Sequence, residues 1–404
     1  MSLVRQKTVL LTLGRLPKGL DIAESLSKAG CRVIIAEPFG WHLSRVSRYV
    51  DACFKTPAPV DDQNAYVDAL LEIIHREGVA IVIPVSEEVL HASLIASQLE
   101  SEVCFFSVNH ESLLELHDKY RFNRLAASFD LPVPETHLLG SKEAKQLSAE
   151  SDFILKPANT CSGKGFSTHW MGDPLPAKNG NDILVQEKMK GALKSTFSIC
   201  HKGRVIGTVV YRAALLSDSV AVAFERLDGE LQIESWINTF VEKTKHSGFI
   251  AFDMMEDENG LPRAIECNPR ATSGIHFIDR SDIAGAILNP PGQTSLGFRN
   301  EVFMYQFWSS LTETQAAVFK PGSAREKAGV MWKAREVNFS WHDPLPLWLM
   351  PFTSWSIMKR AFLKGESFGE AAMHDLEWSG EQKRVSESST LSGAVEDHTS
   401  IASG

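Results

Sequence analysis

Short apolar runs alternate with helix-like segments from residue 8 to about residue 106, and this alternation constrains the fold more than any other feature. The strand-length runs are TVLLTL from Thr8, CRVIIAE from Cys31, VAIVIPV from Val79 and VCFFSV from Val103. Between the first two runs, apolar residues from Leu20 to Ala29 recur at helical spacing, and a second helical pattern lies around Tyr66 to His75. Strands that are apolar on both faces are typical of a parallel sheet covered by helices on each side. The pattern predicts a Rossmann-like unit at residues 1–108.

The first turn of this unit does not have the sequence that binds dinucleotides. It reads GRLPKG from Gly14 to Gly19, which is not GxGxxG. Glu37, at the end of the second strand, could imitate the acid that binds a ribose. Because the glycine pattern is missing, we favour a structural role for this turn over dinucleotide binding. An oxidoreductase is disfavoured for the same reason.

The middle of the chain has an antiparallel pattern. We expect a helical segment from about Ser112 to Phe129, ended by the prolines of LPVPET. The runs that follow are SDFILKPA, DILVQEKM, TFSICHKGRVIGTVVYR and GFIAFDMMEDENGLPRAIECNPR, with turns at HKGR and DENG. They predict a second unit at 109–300, a smaller aromatic-rich region at 301–379, and a disordered Ser-rich tail at 380–404. The predicted fold class is therefore mixed, α/β in the first unit and α+β in the second.

Length and composition limit the compartment and the partners. A chain of 404 residues can form two or three domains. Its formal charge of −9 disfavours nucleic acid or an anionic membrane as the main partner, since both attract clustered Lys and Arg. Six cysteines without zinc-ligand spacing suit free thiols in the cytoplasm. The N-terminal apolar run is predicted to be a strand and not a signal peptide.

One apolar segment near the C-terminus, PLPLWLMPFTSW at Pro344–Trp355, is too short to span a membrane. Its length and three prolines predict an ordered, buried connection, with interfacial membrane contact as the lesser alternative. Four tryptophans of this region, Trp332, Trp341, Trp348 and Trp355, are interpreted as core or domain-contact residues.

The most informative chemistry lies between Gly248 and the NPR sequence that follows it. If Asn259-Gly260 forms a two-residue hairpin turn, Asp253 falls opposite Glu266. Two opposed carboxylates repel each other, and a divalent cation is the usual compensation. Asn268 projects from the same strand face, as does Arg270 if the strand continues. The alternative is a solvated hairpin face, and a slip or a bulge would turn Asp253 away.

Two other segments suggest nucleotide binding. Lys156 follows an apolar strand and precedes a loop of small residues through Gly165, which would suit phosphate oxygens. This loop is not a P-loop, and an ordinary surface turn is an equal alternative. The second segment is Ile183–Met189, where a polar hinge could offer backbone groups and Glu187 to an adenine edge. A strand that simply ends in solvent is the simpler local interpretation.

The order of these elements resembles the ATP-grasp superfamily. The resemblance rests on Asp118-Lys119 near a helix start, FILKPA with its loop, LVQEKM, and FDMM…AIECNPR, in that sequence. RYVDACFKTPAP…IVIPVSEEVL resembles the carbamoyl-phosphate-synthetase-like branch of that superfamily. The likeness covers residues 8 to about 280. It implies a Rossmann-like domain followed by an ATP-grasp domain with antiparallel sheets and a small C-terminal region.

The resemblance also implies roles for the matching residues. The implied ATP-binding residues are Lys119, Lys156, Ser162, Gly163, Gly165, Glu187 and Met189. The implied Mg²⁺ ligands, for which Mn²⁺ could substitute, are Asp253, Glu266 and Asn268. Arg270 matches the arginine that steadies the transferred phosphoryl group or the acyl phosphate. Gly191–Thr196 lacks the acid that often holds the ribose, which is a departure from the pattern.

The implied reaction is an ADP-forming ligation. A substrate carboxylate attacks the γ-phosphate of ATP to give an acyl phosphate, and an amine then displaces phosphate to form an amide or peptide bond. Both substrates would be small molecules, and a homodimer stays open. A non-catalytic nucleotide-binding module, or another enzyme that forms acyl phosphates, is the alternative.

Five further side chains have two interpretations each. His246 and His276 flank the metal segment and could transfer protons, although structural roles are more common. Arg212 and Arg226 could reach a phosphate or a carboxylate, with solvent exposure slightly favoured. Cys267 is predicted to be a core thiol, because strand alternation turns it away from the metal-ligand candidates.

Overall fold

The computed structural model describes residues 7–159, 165–177, 183–217, 220–293, 295–306, 333–337, 339–366 and 368–378. Ser162, Gly163 and Trp332 lie outside these ranges, as does the 380–404 segment for which a disordered tail was predicted.

The N-terminal unit is a five-stranded parallel sheet, as the alternating pattern predicts. Its strands are β1 (Thr8–Leu11), β2 (Arg32–Glu37), β3 (Ala52–Lys55), β4 (Val79–Ile83) and β5 (Cys104–Phe105). Its helices are α1 (Pro17–Lys28), α2 (Gln63–Glu77) and α3 (Val89–Ala92), with 3₁₀ turns at Leu43–Val46 and Ser93–Gln98. The spatial order is β3-β2-β1-β4-β5, so the edge strand β3 is an addition to the strands predicted.

Local sequence explains where these elements begin and end. Every residue of β1 is buried, as expected for a central strand covered on both faces. Pro17 opens α1, where its missing N–H costs nothing. Asp62 caps α2 by accepting from the Ala65 amide, and Gly78 ends that helix in the left-handed conformation. Strand order reverses between β1 and β4, and ligand sites of open parallel sheets usually lie at such a point.

The helical segment predicted between about Ser112 and Phe129 consists of two helices. The helices are α4 (His110–His117) and α5 (Lys119–Ser128), separated at Asp118. Asp118 has an extended backbone, and its carboxylate accepts from the amides of Tyr120 and Arg121. A short polar residue that caps the next helix competes with continued helix, which is why the chain breaks there. The break places Lys119 at the first position of α5.

Two antiparallel sheets follow, as predicted. The smaller sheet contains β6 (Thr136–Leu138), β7 (Phe153–Pro157), β8 (Ser167–His169) and β9 (Ile183–Glu187) in the order β6-β9-β7-β8. The larger sheet contains β10 (Leu193–His201), β11 (Arg204–Ser217), β12 (Val220–Leu227), β13 (Gly248–Glu256), β14 (Pro262–Asn268), β15 (Phe303–Tyr305) and β16 (Arg335–Glu336). Its order is β14-β13-β10-β11-β12-β15-β16, with the β15–β16 pair parallel. The helices of this part are α6 (Lys142–Glu150), α7 (Leu231–Thr244) and α8 (Arg280–Leu288), with a 3₁₀ turn at Ser273–Phe277.

The turn predicted at HKGR joins β10 to β11. His201 pairs with Arg204, and Lys202 and Gly203 both have positive φ, 48° and 82°. Two positive φ values match the twist of a two-residue hairpin. The large sheet contacts the N-terminal unit directly, because the rings of Phe106 and Phe249 lie 5.1 Å apart in a shared core.

The C-terminal region forms four short helices on the N-terminal unit. They are α9 (Leu345–Trp348), α10 (Met350–Thr353), α11 (Trp355–Lys364) and α12 (Phe368–Met373). Met350 packs against Leu20 and Leu43, and Asp375 forms a buried ion pair with Arg15. None of the helices in the described ranges is both long and apolar enough to cross a membrane.

Two predictions for this region were wrong: that Pro344–Trp355 is buried, and that Trp341, Trp348 and Trp355 are core or domain-contact residues. Trp341, Trp348 and Trp355 are 81%, 73% and 62% exposed. The segment is ordered, but it contacts the N-terminal unit only through its other face, which includes Met350. Apolar content alone does not show which side of a short helix meets the protein.

Candidate active site

The β13–β14 pair brings Asp253 directly opposite Glu266, as the sequence predicts, but by a different route. The turn is not the two-residue Asn259-Gly260 hairpin, because pairing starts at Glu256 and Pro262. Asp257 closes this longer turn: its carboxylate accepts from the amides of Asn259 and Leu261.

A bulge then restores the predicted pairing. Met254 pairs with Ala264 and Asp253 with Glu266, so Ile265 has no partner across the ladder. The longer turn and the bulge each shift the register by one residue in opposite senses. The predicted carboxylate pair is therefore confirmed, and the predicted turn was wrong.

A buried lysine contacts the bulge. Lys156 at the end of β7 donates its ammonium to the carbonyl oxygen of Ile265 at 3.1 Å and is only 8% exposed. Lys119 at the start of α5 places its Nζ 3.8 Å from Oε2 of Glu266. The two lysines come from different elements and converge on one carboxylate. The surface-turn alternative for Lys156 is excluded by its burial.

The two carboxyl groups have different surroundings. Burial and the facing Glu266 raise the pKa of Asp253 to about 8, and Ser195 donates to its Oδ1 at 2.6 Å. Burial alone would raise the pKa of Glu266, but Lys119 and a hydrogen bond from Asp253 hold it below its ordinary value. The pair therefore keeps one proton near neutral pH, in the place that a cation would take.

The donor set fits a hard divalent cation. Two carboxylates and one amide are oxygen ligands of the kind that Mg²⁺ accepts alongside phosphate oxygens and water. The Asn268 amide nitrogen lies 3.3 Å from Oε1 of Glu266, and its oxygen accepts from Arg270 at 3.0 Å. A 180° rotation of the Asn268 amide group would exchange its oxygen and nitrogen and place the oxygen on the side of Glu266. No group of three or more His, Cys, Asp or Glu side chains within the described residues could hold a metal, so such a cation would depend on this smaller set.

Arg270 has a partner that sequence reasoning missed. Its guanidinium forms an ion pair with Glu87, 2.5 Å away, on the segment that follows β4. Lys18, at the start of α1, donates to Ser86 at 2.9 Å and to the carbonyl of Ala271 at 2.7 Å. Burial and the charge of Arg270 lower the pKa of Lys18 to about 7.

These contacts place the β1–β4 crevice beside Arg270. The available sequence signal was the polar run Ser86-Glu87-Glu88 directly after an apolar parallel strand, because the carboxyl ends of such strands form ligand sites.

The hinge residues lie at the end of β9. The Glu187 carboxylate pairs with Arg263 at 3.3 Å, and the Lys188 amide donates to the carbonyl of Asp152. A cavity of about 470 Å³ adjoins Glu187, Lys188 and Met189. Neither Lys119 nor Lys156 lines this cavity, and the Asp253–Glu266 pair does not line it either. The hinge cavity is thus separate from the charged cluster. Gly165 lies beyond the undescribed part of the small-residue loop, with a φ of +75°.

The remaining polar candidates have structural partners. His246 is fully buried with Nε2 against the Phe249 carbonyl, and His276 contacts Asp21 at 2.5 Å. Arg212 pairs with Glu225 and Arg226 with Asp228.

Two sequence interpretations of buried groups hold. Cys267 is buried in the core, and burial raises the pKa of its thiol, as expected for a residue that faces away from the ligands. The Glu37 carboxylate accepts from the amides of Gly14 and Arg15 and from the Arg15 guanidinium, which is a structural role.

Solved structures share this architecture, although no family model and no curated protein matches the sequence. The biotin carboxylase domain of 2-oxoglutarate carboxylase from Hydrogenobacter thermophilus is 14% identical with a TM-score of 0.56, over 74% of this chain and 72% of that chain. N5-carboxyaminoimidazole synthetase from Staphylococcus aureus is 14% identical with a TM-score of 0.56, over 73% and 80%. L-amino acid ligase from Bacillus licheniformis is 13% identical with a TM-score of 0.53, over 70% and 75%. At such identities the likeness concerns the fold, and the chain has the ATP-grasp fold that these three enzymes share.

Proposed function

We propose that this protein is an ATP-dependent, ADP-forming ligase that activates a carboxylate as an acyl phosphate for attack by an amine. One observation carries the proposal. Two opposed carboxylates, Asp253 and Glu266, lie within a cluster that also contains Lys119, Lys156 and Arg270. Three cations around an acidic pair suit a polyphosphate with its divalent metal better than they suit any single small ion.

Each residue of the cluster has a defined task in this proposal. Lys119 and Lys156 bind phosphate oxygens, and burial of Lys156 strengthens its electrostatic contact. Asp253, Glu266 and Asn268 would hold Mg²⁺, which when bound supplies charge neutralisation on those oxygens. Ser195 orients Asp253 by its hydrogen bond. Glu187 and Met189 remain our candidates for the adenine edge, with Gly165 beside the phosphates.

The carboxylate substrate would bind between the β1–β4 crevice and Arg270. Arg270 is held from one side by Glu87 and from the other by Asn268, so its position is set before any substrate arrives. Lys18 and Ser86 lie at the same place and offer hydrogen-bond donors to an anion. The guanidinium would stabilise charge on the acyl phosphate as it forms. No covalent protein intermediate is needed, because positioning and electrostatics are sufficient for phosphoryl transfer.

A second opening could admit the amine. A cleft of about 580 Å³ reaches Ser195, the partner of Asp253, and is otherwise lined mainly by apolar side chains such as Leu193 and Phe224. The solved biotin carboxylase domain was crystallised with MgADP and bicarbonate, and another protein of this fold is an L-amino acid ligase. Those ligands and activities support Mg·ATP and a small carboxylate here, and leave the pair of substrates to experiment.

The test is a screen for ADP formation. The protein is mixed with Mg·ATP and with pools of amino acids, small carboxylates and amines, and the product of any active pool is identified by mass. We expect ADP release that requires one carboxylate and one amine, and none from the Glu266→Gln variant. Mg·ATP binding without ADP release in every pool would favour a nucleotide-binding module instead. ADP release that needs a carboxylate but no amine would indicate another acyl-phosphate-forming enzyme.

A further inference from the structure

Helices α9 to α11 have two apolar faces, and only one of them meets the protein. The buried face includes Met350, which packs on Leu20 and Leu43, and Ile357, which packs near Leu16 and Phe39. A surface helix of a soluble protein normally has a polar face opposite its buried one.

The opposite face is aromatic and exposed. It consists of Leu345, Trp348, Phe352, Trp355, Lys359 and Phe362, which we call the aromatic face. Successive members are three or four residues apart, so the set follows one side of consecutive helical turns. The aromatic members are 73%, 70%, 62% and 89% exposed in chain order. Burying one aromatic side chain removes about 150–250 Å², so the four present roughly 450–700 Å², at or above the largest patch of a typical monomer.

The charges around the aromatic face indicate what kind of partner covers it. Lys359 lies on the aromatic face, and Lys364 follows it, with both exposed. The acids nearby are already engaged: Asp343 is buried against Ser47, and Glu366 pairs with Arg360. The segment therefore offers cations and aromatic rings together, although the whole chain carries −9.

Trp and Phe beside Lys is the composition of helices that lie in a lipid interface. A stable contact between two copies of the chain buries about 800 Å² per partner, more than the four exposed rings present. We propose that the aromatic face docks this protein onto the surface of a lipid bilayer that contains anionic headgroups. The rings enter the headgroup region, and Lys359 and Lys364 contact lipid phosphates.

Vesicle co-sedimentation of the full chain tests this docking. The protein is mixed with vesicles of phosphatidylcholine alone or of phosphatidylcholine with phosphatidylglycerol. We expect it to pellet with the anionic vesicles and to be released by high salt. The double variant W348S/W355S should bind them at least about tenfold more weakly, and Lys359→Gln about fivefold more weakly.

Leu231→Ser is the matched control, because Leu231 is 72% exposed on α7, away from the aromatic face. It should bind vesicles like the unchanged protein, and all variants should keep its melting temperature, since the replaced side chains are exposed. Failure of the unchanged protein to pellet with anionic vesicles would overturn the proposal. So would full binding by W348S/W355S. A dimer in sedimentation velocity that the double variant dissociates would assign the face to a second copy instead.

Discussion

At the residue scale, the carboxylates of the candidate metal site differ in the charge that surrounds them. Asp253 faces Ser195 and Glu266, whereas Glu266 also lies near Lys119. Burial and the repulsion between the two carboxylates therefore raise the pKa of Asp253, to about 8, whereas the pKa of Glu266 is lowered. The sequence could predict the pair but not this asymmetry, because the lysines come from other elements.

Substitutions in the pair should separate stability from activity. Asp253→Asn should raise the free energy of unfolding at pH 7 without Mg²⁺ by about 1 kcal/mol, because the folded state must protonate Asp253, whose pKa is raised to about 8, whereas Asn needs no proton. The melting temperature would rise by about 1–3 °C. Glu266→Gln should give no such gain, since it removes the charge that offsets Lys119. Both should abolish ADP formation. Thermal unfolding and an ADP assay check this, and an active variant would remove its residue from the metal site.

Lys156→Met should weaken Mg·ATP binding by roughly 10- to 150-fold. The buried ammonium makes a charge-assisted phosphate contact worth on the order of 1.5–3 kcal/mol, and 1.4 kcal/mol is tenfold. Adenosine binding should change little, because adenosine has no phosphates. Calorimetry measures the binding of both ligands. Lys145→Met, at an exposed position of α6, is the control that should bind Mg·ATP normally. Equal Mg·ATP affinity of the Lys156→Met and Lys145→Met variants would show that Lys156 does not bind the phosphates.

At the element scale, α7 ends with an unfavourable backbone. Lys245 caps this helix with a φ of 52°, a conformation that glycine adopts without steric cost. Lys245→Gly should therefore stabilise the protein by about 0.5–1 kcal/mol in urea unfolding. Lys243→Gly, two residues earlier and within the helix, should destabilise it by a similar amount. If both substitutions changed the stability in the same direction, the conformation of the helix cap would not be the cause.

His246, which follows that cap, should make stability depend on pH. Burial lowers its pKa from 6.5 to about 4, so the folded state keeps it neutral while the unfolded state takes up a proton. The stabilisation is complete above pH 6.5 and is lost as the pH falls toward 4, by about 1.4 kcal/mol per pH unit. Between pH 7.5 and 5 the protein should lose about 2 kcal/mol more than His246→Gln does. Urea unfolding at both pH values measures the difference, and equal losses would contradict the assignment.

At the scale of the whole molecule, a buried ion cluster fastens the C-terminal helices to the N-terminal sheet. Arg15 binds Glu37 at 2.5 Å and Asp375 at 2.6 Å, with all three side chains almost fully buried. Asp375→Asn keeps the Arg15–Glu37 pair but removes a charge-assisted contact of the kind worth about 1.5–3 kcal/mol. It should therefore lower stability by about 2 kcal/mol in chemical unfolding. Asp228→Asn, which removes an exposed carboxylate that pairs with Arg226, should cost about 1 kcal/mol or less.

The sequence by itself determines the architecture of this protein. Apolar periodicity separates a parallel sheet from antiparallel ones, because burial on two faces and on one face leave different patterns. It also identifies the Asp253–Glu266 pair, although by an incorrect turn whose error the Ile265 bulge cancels. The domain limits at 108, 300 and 379 stay predictions, as do the cytoplasmic location and the roles assigned to individual site residues.

Only the tertiary structure decides which distant groups meet. Glu87 reaches Arg270, Lys18 reaches the carbonyl of Ala271, and Lys156 reaches the carbonyl of the bulged residue Ile265. It also decides that Trp341, Trp348 and Trp355 are exposed. Local periodicity specifies that a face is apolar, but which face is covered depends on how separate elements pack, and that packing energy is not local in sequence.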